Sequence, residues 1–143
     1  MMKPKLIKTL MLLIALAWLT GCEEQVNYKD EGLNFDVDQD LQSALQQNHM
    51  PQLAARLGCI ACHTLDHRAF GPSWKEVGTR YRNATTYEYQ SKRYPLTAGL
   101  VEKISHGGSG NWGEEQMPAI DPSGSKHAQL EKLVGFMLAL GKR

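Results

Sequence analysis

The sequence lacks long apolar runs, a full set of paired cysteines and any alternating apolar pattern, and each absence excludes something. Its longest apolar run, Leu10 to Leu19, falls short of the about 20 residues that a membrane-crossing helix needs, so a polytopic membrane protein is excluded. Three cysteines, Cys22, Cys59 and Cys62, are too few, and odd in number, for a disulfide framework. No stretch alternates apolar and polar residues as a half-buried strand does, and no internal repeat is visible. The glycine-rich run Gly107-Gly108-Ser109-Gly110-Asn111-Trp112-Gly113 matches neither a phosphate-cradling loop nor a dinucleotide fingerprint. With a formal net charge of only +1, no nucleic-acid partner is expected. What is present is 143 residues, 42% of them hydrophobic, enough for one small domain plus extensions.

The near-neutral charge hides a division along the chain. Residues 1–21 carry Lys3, Lys5 and Lys8 and no acid. Residues 22–40 carry seven carboxylates against Lys29 alone, and residues 41–143 are basic again at +4. The first segment has a basic start and a short apolar run, the layout of a secretory signal peptide. It closes on Leu19-Thr20-Gly21-Cys22, which resembles the lipobox of bacterial lipoproteins. That resemblance implies cleavage before Cys22 and lipidation of its thiol, which also accounts for the odd cysteine. Two or more acyl chains hold a protein stably on a membrane where one does not. Glu23 is not the aspartate that commonly retains lipoproteins in the inner membrane, which points to the outer one. The acidic stretch 22–40 can bury little and reads as a flexible spacer, leaving 41–143 as the domain.

The domain reads as helical throughout. Asp38 or Asp40 is placed to cap a short helix through Gln47. Pro51 suits the first turn of a second, with Leu53, Ala54 and Leu57 on one face before Gly58. Ser73 with Glu76 three positions on forms a capping-box pattern for a helix carrying Trp74, Val77 and Tyr81. Residues 82–95, polar and tyrosine-rich, read as a loop or weak helix. Thr97 is placed to cap a helix with Leu100, Val101 and Ile104, stopped at Gly107. Leu130, Leu133, Val134, Met137 and Leu138 give the clearest apolar stripe. The expected fold class is all-α.

The motif with chemistry is Cys59-Ile60-Ala61-Cys62-His63, the C-x-x-C-H spacing of covalent haem attachment. Two thiols three positions apart on a helical turn can add to both vinyl groups of one haem, and the adjacent histidine then supplies the proximal ligand. A dithiol redox pair would want a strand before it, and a structural zinc site a second pair of ligands. Neither is found. Of the six methionines, Met1, Met2 and Met11 lie in the signal peptide, Met50 is too close in sequence to the motif, and Met137 belongs to the apolar stripe. Met117, in a loop before Pro118, is the candidate sixth ligand. The glycine-rich run before it suits a backbone laid along a flat cofactor.

From about residue 50 onward the chain resembles the small class I cytochromes c of the bacterial c8 or c-551 type. The resemblance is carried by Cys59-Ile60-Ala61-Cys62-His63, the segment Gly71-Pro72-Ser73-Trp74-Lys75-Glu76-Val77-Gly78, the glycine-rich run, Gln116-Met117-Pro118 and the closing helix. It implies helices wrapped around one covalent haem c, thioether bonds from Cys59 and Cys62, and His63 and Met117 as axial ligands. It also implies that the Pro72 carbonyl accepts a hydrogen bond from His63 and that the Trp112 indole reaches a propionate. Residues 82–95 are longer than in compact members. With both axial positions filled, the expected role is electron carrier and not enzyme. Expected partners are a quinol-oxidising complex and a terminal oxidase or another reductase, at the periplasmic face of a bacterial membrane. A permanent haem subunit of a membrane oxidoreductase and a haem-based ligand sensor are the alternatives.

Overall fold

The computed structural model describes residues 35–142. The expectations for the signal peptide, for Cys22 and for residues 22–34 of the spacer therefore lie outside the described residues.

Helix α1, Val37–Gln47, begins where the Asp36 carboxylate accepts the Gln39 N–H at 2.9 Å, and it ends at Asn48 in the left-handed region, φ 50°. Asp38 and Asp40 stand in its first turn, beside the unpaired N–H groups and the positive end of the helix dipole. The cap is thus Asp36, not Asp38 or Asp40. Phe35, just before it, is buried, its ring edge-on to Phe136 at 6.3 Å. The packed domain consequently includes Phe35–Asp40 and does not begin at residue 41, because these carboxylates belong to a helix start. The shift brings three carboxylates into the domain and lowers its formal charge from +4 to +1.

Pro51, φ −62°, opens α2, Gln52–Arg56. Gly58, φ 75°, then turns the chain into a single 3₁₀ turn, Cys59–Ala61. Helix α3, Trp74–Arg80, carries the full capping box: Ser73 Oγ accepts the Glu76 N–H at 3.1 Å, and the Glu76 carboxylate accepts the Ser73 N–H at 2.7 Å.

Residues 82–95 correct the sequence reading. Thr86–Tyr89 (β1) and Lys92–Pro95 (β2) form an antiparallel hairpin, with Thr86 opposite Pro95 and Tyr89 opposite Lys92. Tyr87 and Tyr89 point inward and are buried. The turn places Gln90 and Ser91 at φ 51° and 61°, a conformation that two-residue hairpins usually fill with Asn or Gly. Helix α4, Leu96–His106, follows directly after Pro95, so Thr97 lies inside its first turn and is not its cap. Gly99 gives the hairpin its seat on α4, since a Cβ there would come within 2.8 Å of the Tyr87 side chain.

The last described helix, α5, His127–Leu140, is the one the others share: α1, α3 and α4 all pack on it. Phe136 sits at the centre, with the Trp74 ring edge-on at 5.7 Å. The expected stripe buries Leu130, Leu133, Val134 and Met137, while Leu138 is only half-buried and Phe136 and Leu140 complete the face. Before α5, the buried Asp121 carboxylate accepts the Lys126 N–H at 2.7 Å and the Ser125 hydroxyl at 3.1 Å, fixing the entry to the helix. The fold is helical with one small hairpin.

Candidate functional site

An open cleft of about 1200 Å³, counting the part that opens to solvent, runs into the domain. Its walls are apolar: Trp74 and Val77 from α3, Leu100 and Ile104 from α4, Leu133 and Met137 from α5. Polar groups join them: the Cys59 and Cys62 thiols, the His63 ring, the Lys103 ammonium and the Trp112 indole, with Arg68, Asn111, Glu115 and Gln116 also in the lining.

The 3₁₀ turn presents both cysteines as half-buried free thiols. Burial pushes the Cys59 thiol up to about 11, against the opposing pull of its backbone hydrogen bond. A thiol held protonated at neutral pH is the reverse of the activated cysteine in a dithiol redox motif. Among the described residues no group of three or more His, Cys, Asp or Glu gathers that could hold a metal ion.

His63 Nδ1 lies 2.7 Å from the Pro72 carbonyl oxygen, so the N–H donates there and the Nε2 lone pair is left free. The ring rests against the Gly71 backbone, where a Cβ would sit 2.4 Å from His63 Cε1. With the ring held by Pro72, any larger residue at position 71 would have to displace it. Met117 lines the same cleft, and its backbone is paired with Gly108: the Gly108 N–H reaches the Met117 oxygen at 2.9 Å, and the Met117 N–H returns to Gly108 at 3.2 Å. Met50 borders a separate shallow hollow. Met137 also lines the cleft, but from within α5 and 6% exposed.

Trp112 is held from two sides. Arg80, at the end of α3, places its guanidinium 4.4 Å from the indole centroid and donates to the Asn111 carbonyl at 2.7 Å. Arg68 lies 6.0 Å from the same ring and reaches the Trp112 carbonyl at 3.4 Å. Trp112 stands out in the sequence; neither arginine does, and nor do Lys103 and Tyr87. Lys103 still had a readable signal, being a last-turn base four residues before a terminating glycine. The arginines had none, because their partners are backbone groups 31 and 44 residues away.

Two thiols, an imidazole with one tautomer fixed, apolar walls and glycine backbone at closest approach together fit a flat, largely apolar group held by thioethers. No protein-family model matches the chain. Among characterised proteins, it is 35% identical over 81 residues to cytochrome c-551 of Azotobacter vinelandii, covering 57% of this chain and 84% of that one. It is 35% identical over 90 residues to cytochrome c-551 of Allochromatium vinosum, covering 62% and 82%. The chain belongs to the class I cytochromes c. It carries one covalently bound haem c and, like its family, serves electron transfer. Among solved structures, cytochrome c552 of Nitrosomonas europaea superposes with a TM-score of 0.51 at 28% identity, covering 62% of this cytochrome and 96% of that chain.

Proposed function

We propose that this cytochrome is a membrane-tethered electron carrier on the periplasmic side of a bacterial membrane, working between a quinol-oxidising complex and a terminal oxidase or another reductase. In this reading Cys59 and Cys62 anchor the haem, His63 and Met117 are its axial ligands, and the Trp112 indole donates to a propionate. The observation that carries it is that His63 and Met117 line one apolar cleft, each held by backbone: the imidazole by the Pro72 carbonyl, the methionine by Gly108. When bound, the haem supplies an iron that changes by one electron. The chain's part is to keep both ligands still. Pro72 keeps the proton on Nδ1 and the ring at one angle. The walls exclude water, and a thioether ligand favours the reduced state.

A permanent-subunit role calls for a broad apolar face. Among the described residues the exposed large hydrophobics are Leu45, Ile60 and Phe70, and of these Phe70 lines the cleft. A freely exchanging carrier is the better reading. Reduced protein should bind carbon monoxide only slowly, since Met117 must leave first; rapid binding would put the ligand-sensing role ahead. Arg80 over the Trp112 ring, with Arg68 nearby and in part offset by Glu76 at 3.9 Å, gives partner encounter a local positive charge, so electron exchange with an acidic redox partner should slow as salt rises. A rate independent of salt would leave Phe70, 76% exposed, as the docking group instead.

The tether is tested separately. Cys22→Ser should release a haem-loaded protein into the soluble fraction. If that variant still sedimented with membranes after a high-salt wash, lipidation of Cys22 would be the wrong explanation. With Glu23 and not an aspartate after Cys22, the proposal favours the outer membrane, and fractionation of the two membranes checks it.

A further inference from the structure

We propose that Lys103 is a positioning residue for Met117, gathering the carbonyls of Gly107 and Gly108 and so fixing the backbone to which the methionine is paired. The inference rests on Met117 being the iron's sixth ligand. Lys103 sits in the last turn of α4 and is 8% exposed, an unusual place for an ammonium. Its Nζ donates to the Gly107 oxygen at 3.1 Å and to the Gly108 oxygen. That second oxygen is also the acceptor of the Met117 N–H at 3.2 Å. A single carbonyl therefore joins the buried cation to the methionine's backbone.

The surroundings are built for this. Gly107 turns the chain at φ 74°, and a Cβ there would lie 2.3 Å from the Met117 oxygen, so the two backbones meet with nothing between them. The Tyr89 hydroxyl, brought by the hairpin, donates to the same Gly107 carbonyl at 3.1 Å, and its ring lies 5.9 Å from Nζ. The Gly107 and Gly108 carbonyls and the Tyr89 ring are the protein groups gathered around the ammonium. Removing the ammonium leaves the Gly107 and Gly108 oxygens short of a strong donor, and the loop bearing Met117 can relax away from the cleft.

The test is imidazole titration of the oxidised, haem-loaded protein, read together with the weak far-red band of a methionine–iron bond. Lys103→Leu should weaken the band and raise imidazole affinity about tenfold, the scale of a lost charged hydrogen bond. Lys103→Gln, with a donor but no charge, should fall between and serves if the leucine variant fails to accumulate. Lys103→Arg should recover most of the wild-type behaviour. Leu41→Ala, which loosens the core on α1 away from the cleft, should lower thermal stability yet leave imidazole affinity unchanged. An intact band with imidazole affinity within about twofold of wild type in Lys103→Leu, or in Lys103→Gln where the leucine variant does not accumulate, would overturn the proposal. So would an equal rise in Leu41→Ala, which would mean general loosening. Absence of the band from wild type would instead remove the Met117 assignment on which the inference stands.

Discussion

Replacing Met117 by alanine should leave the haem attached and lower the reduction potential on the order of 0.2 V, a fraction of the about 0.8 V over which axial ligands tune haem iron. Attachment survives because Cys59 and Cys62, on a separate turn, hold the group covalently in the proposed site. The potential falls because a thioether stabilises the reduced iron and water does not. The same variant should lose the far-red band and bind carbon monoxide rapidly. Met117→His should stay six-coordinate and still drop in potential. Met137 is the internal control: it lines the same cleft, yet Met137→Leu is a near volume-conserving swap within α5, costing less than about 1.5 kcal/mol and leaving the spectrum alone. If the band survived in Met117→Ala and vanished in Met137→Leu, the ligand would be the helical methionine.

The second large effect is on stability. Gly78→Ala should destabilise the domain by about 3 kcal/mol, the upper end of ordinary overpacking. On helix propensity alone the change would stabilise α3 by about 1 kcal/mol. Packing decides the sign. A Cβ on Gly78 would lie 2.2 Å from the Met137 carbonyl oxygen and 2.6 Å from the Gly141 nitrogen, both backbone atoms that cannot rotate away. Gly135→Ala gives the contrast within one experiment. It is also a helical glycine, but its Cβ would meet only Val37 Cγ2 at 3.9 Å, an ordinary contact. That variant should gain about 0.5–1 kcal/mol. Thermal unfolding of the haem-loaded proteins should therefore shift in opposite directions, downward by roughly 10–20 °C for Gly78→Ala. Equal shifts would mean that the α3–α5 crossing yields more readily than its backbone contacts imply.

The pattern of what the sequence revealed follows from where each signal resides. Ser73 with Glu76 and the Leu130–Met137 stripe are local, spaced by the helix itself, and both appear in the structure as read. The C-x-x-C-H motif is local too, which is why haem attachment was legible from five residues. The hairpin was not. Only Tyr87 and Tyr89 alternate inward, over too few residues to show a period, and Gln90-Ser91 carries none of the usual turn chemistry. What holds it is Gly99 on the next helix, a partner no local pattern names. The start of the first helix is obscured in the sequence for a different reason. Asp36, Asp38 and Asp40 have the composition of a tether, and only the burial of Phe35 against Phe136 distinguishes a helix start from solvated chain. In the cleft, cysteines, histidine and methionine declared themselves by type. Lys103 and Arg80, which bind the loop at Gly107, Gly108 and Asn111, do so through carbonyls, which carry no side-chain signature.

The placement of Phe136 also orders events in time. Phe35 and Trp74 both rest on this one ring, which belongs to the last of the described helices and lies roughly a hundred residues downstream of Phe35. Closing so long a loop is slow relative to local helix formation. As the chain emerges from its N-terminal side, α1 and α3 have nothing to settle on until residues 127–140 follow. During that interval the segment Cys59-Ile60-Ala61-Cys62-His63 stands clear of any completed core, open to whatever machinery joins the haem to its thiols. Topology thus holds the attachment site accessible for as long as it takes to deliver the final helix, whose arrival then closes the wall that Leu133 and Met137 provide.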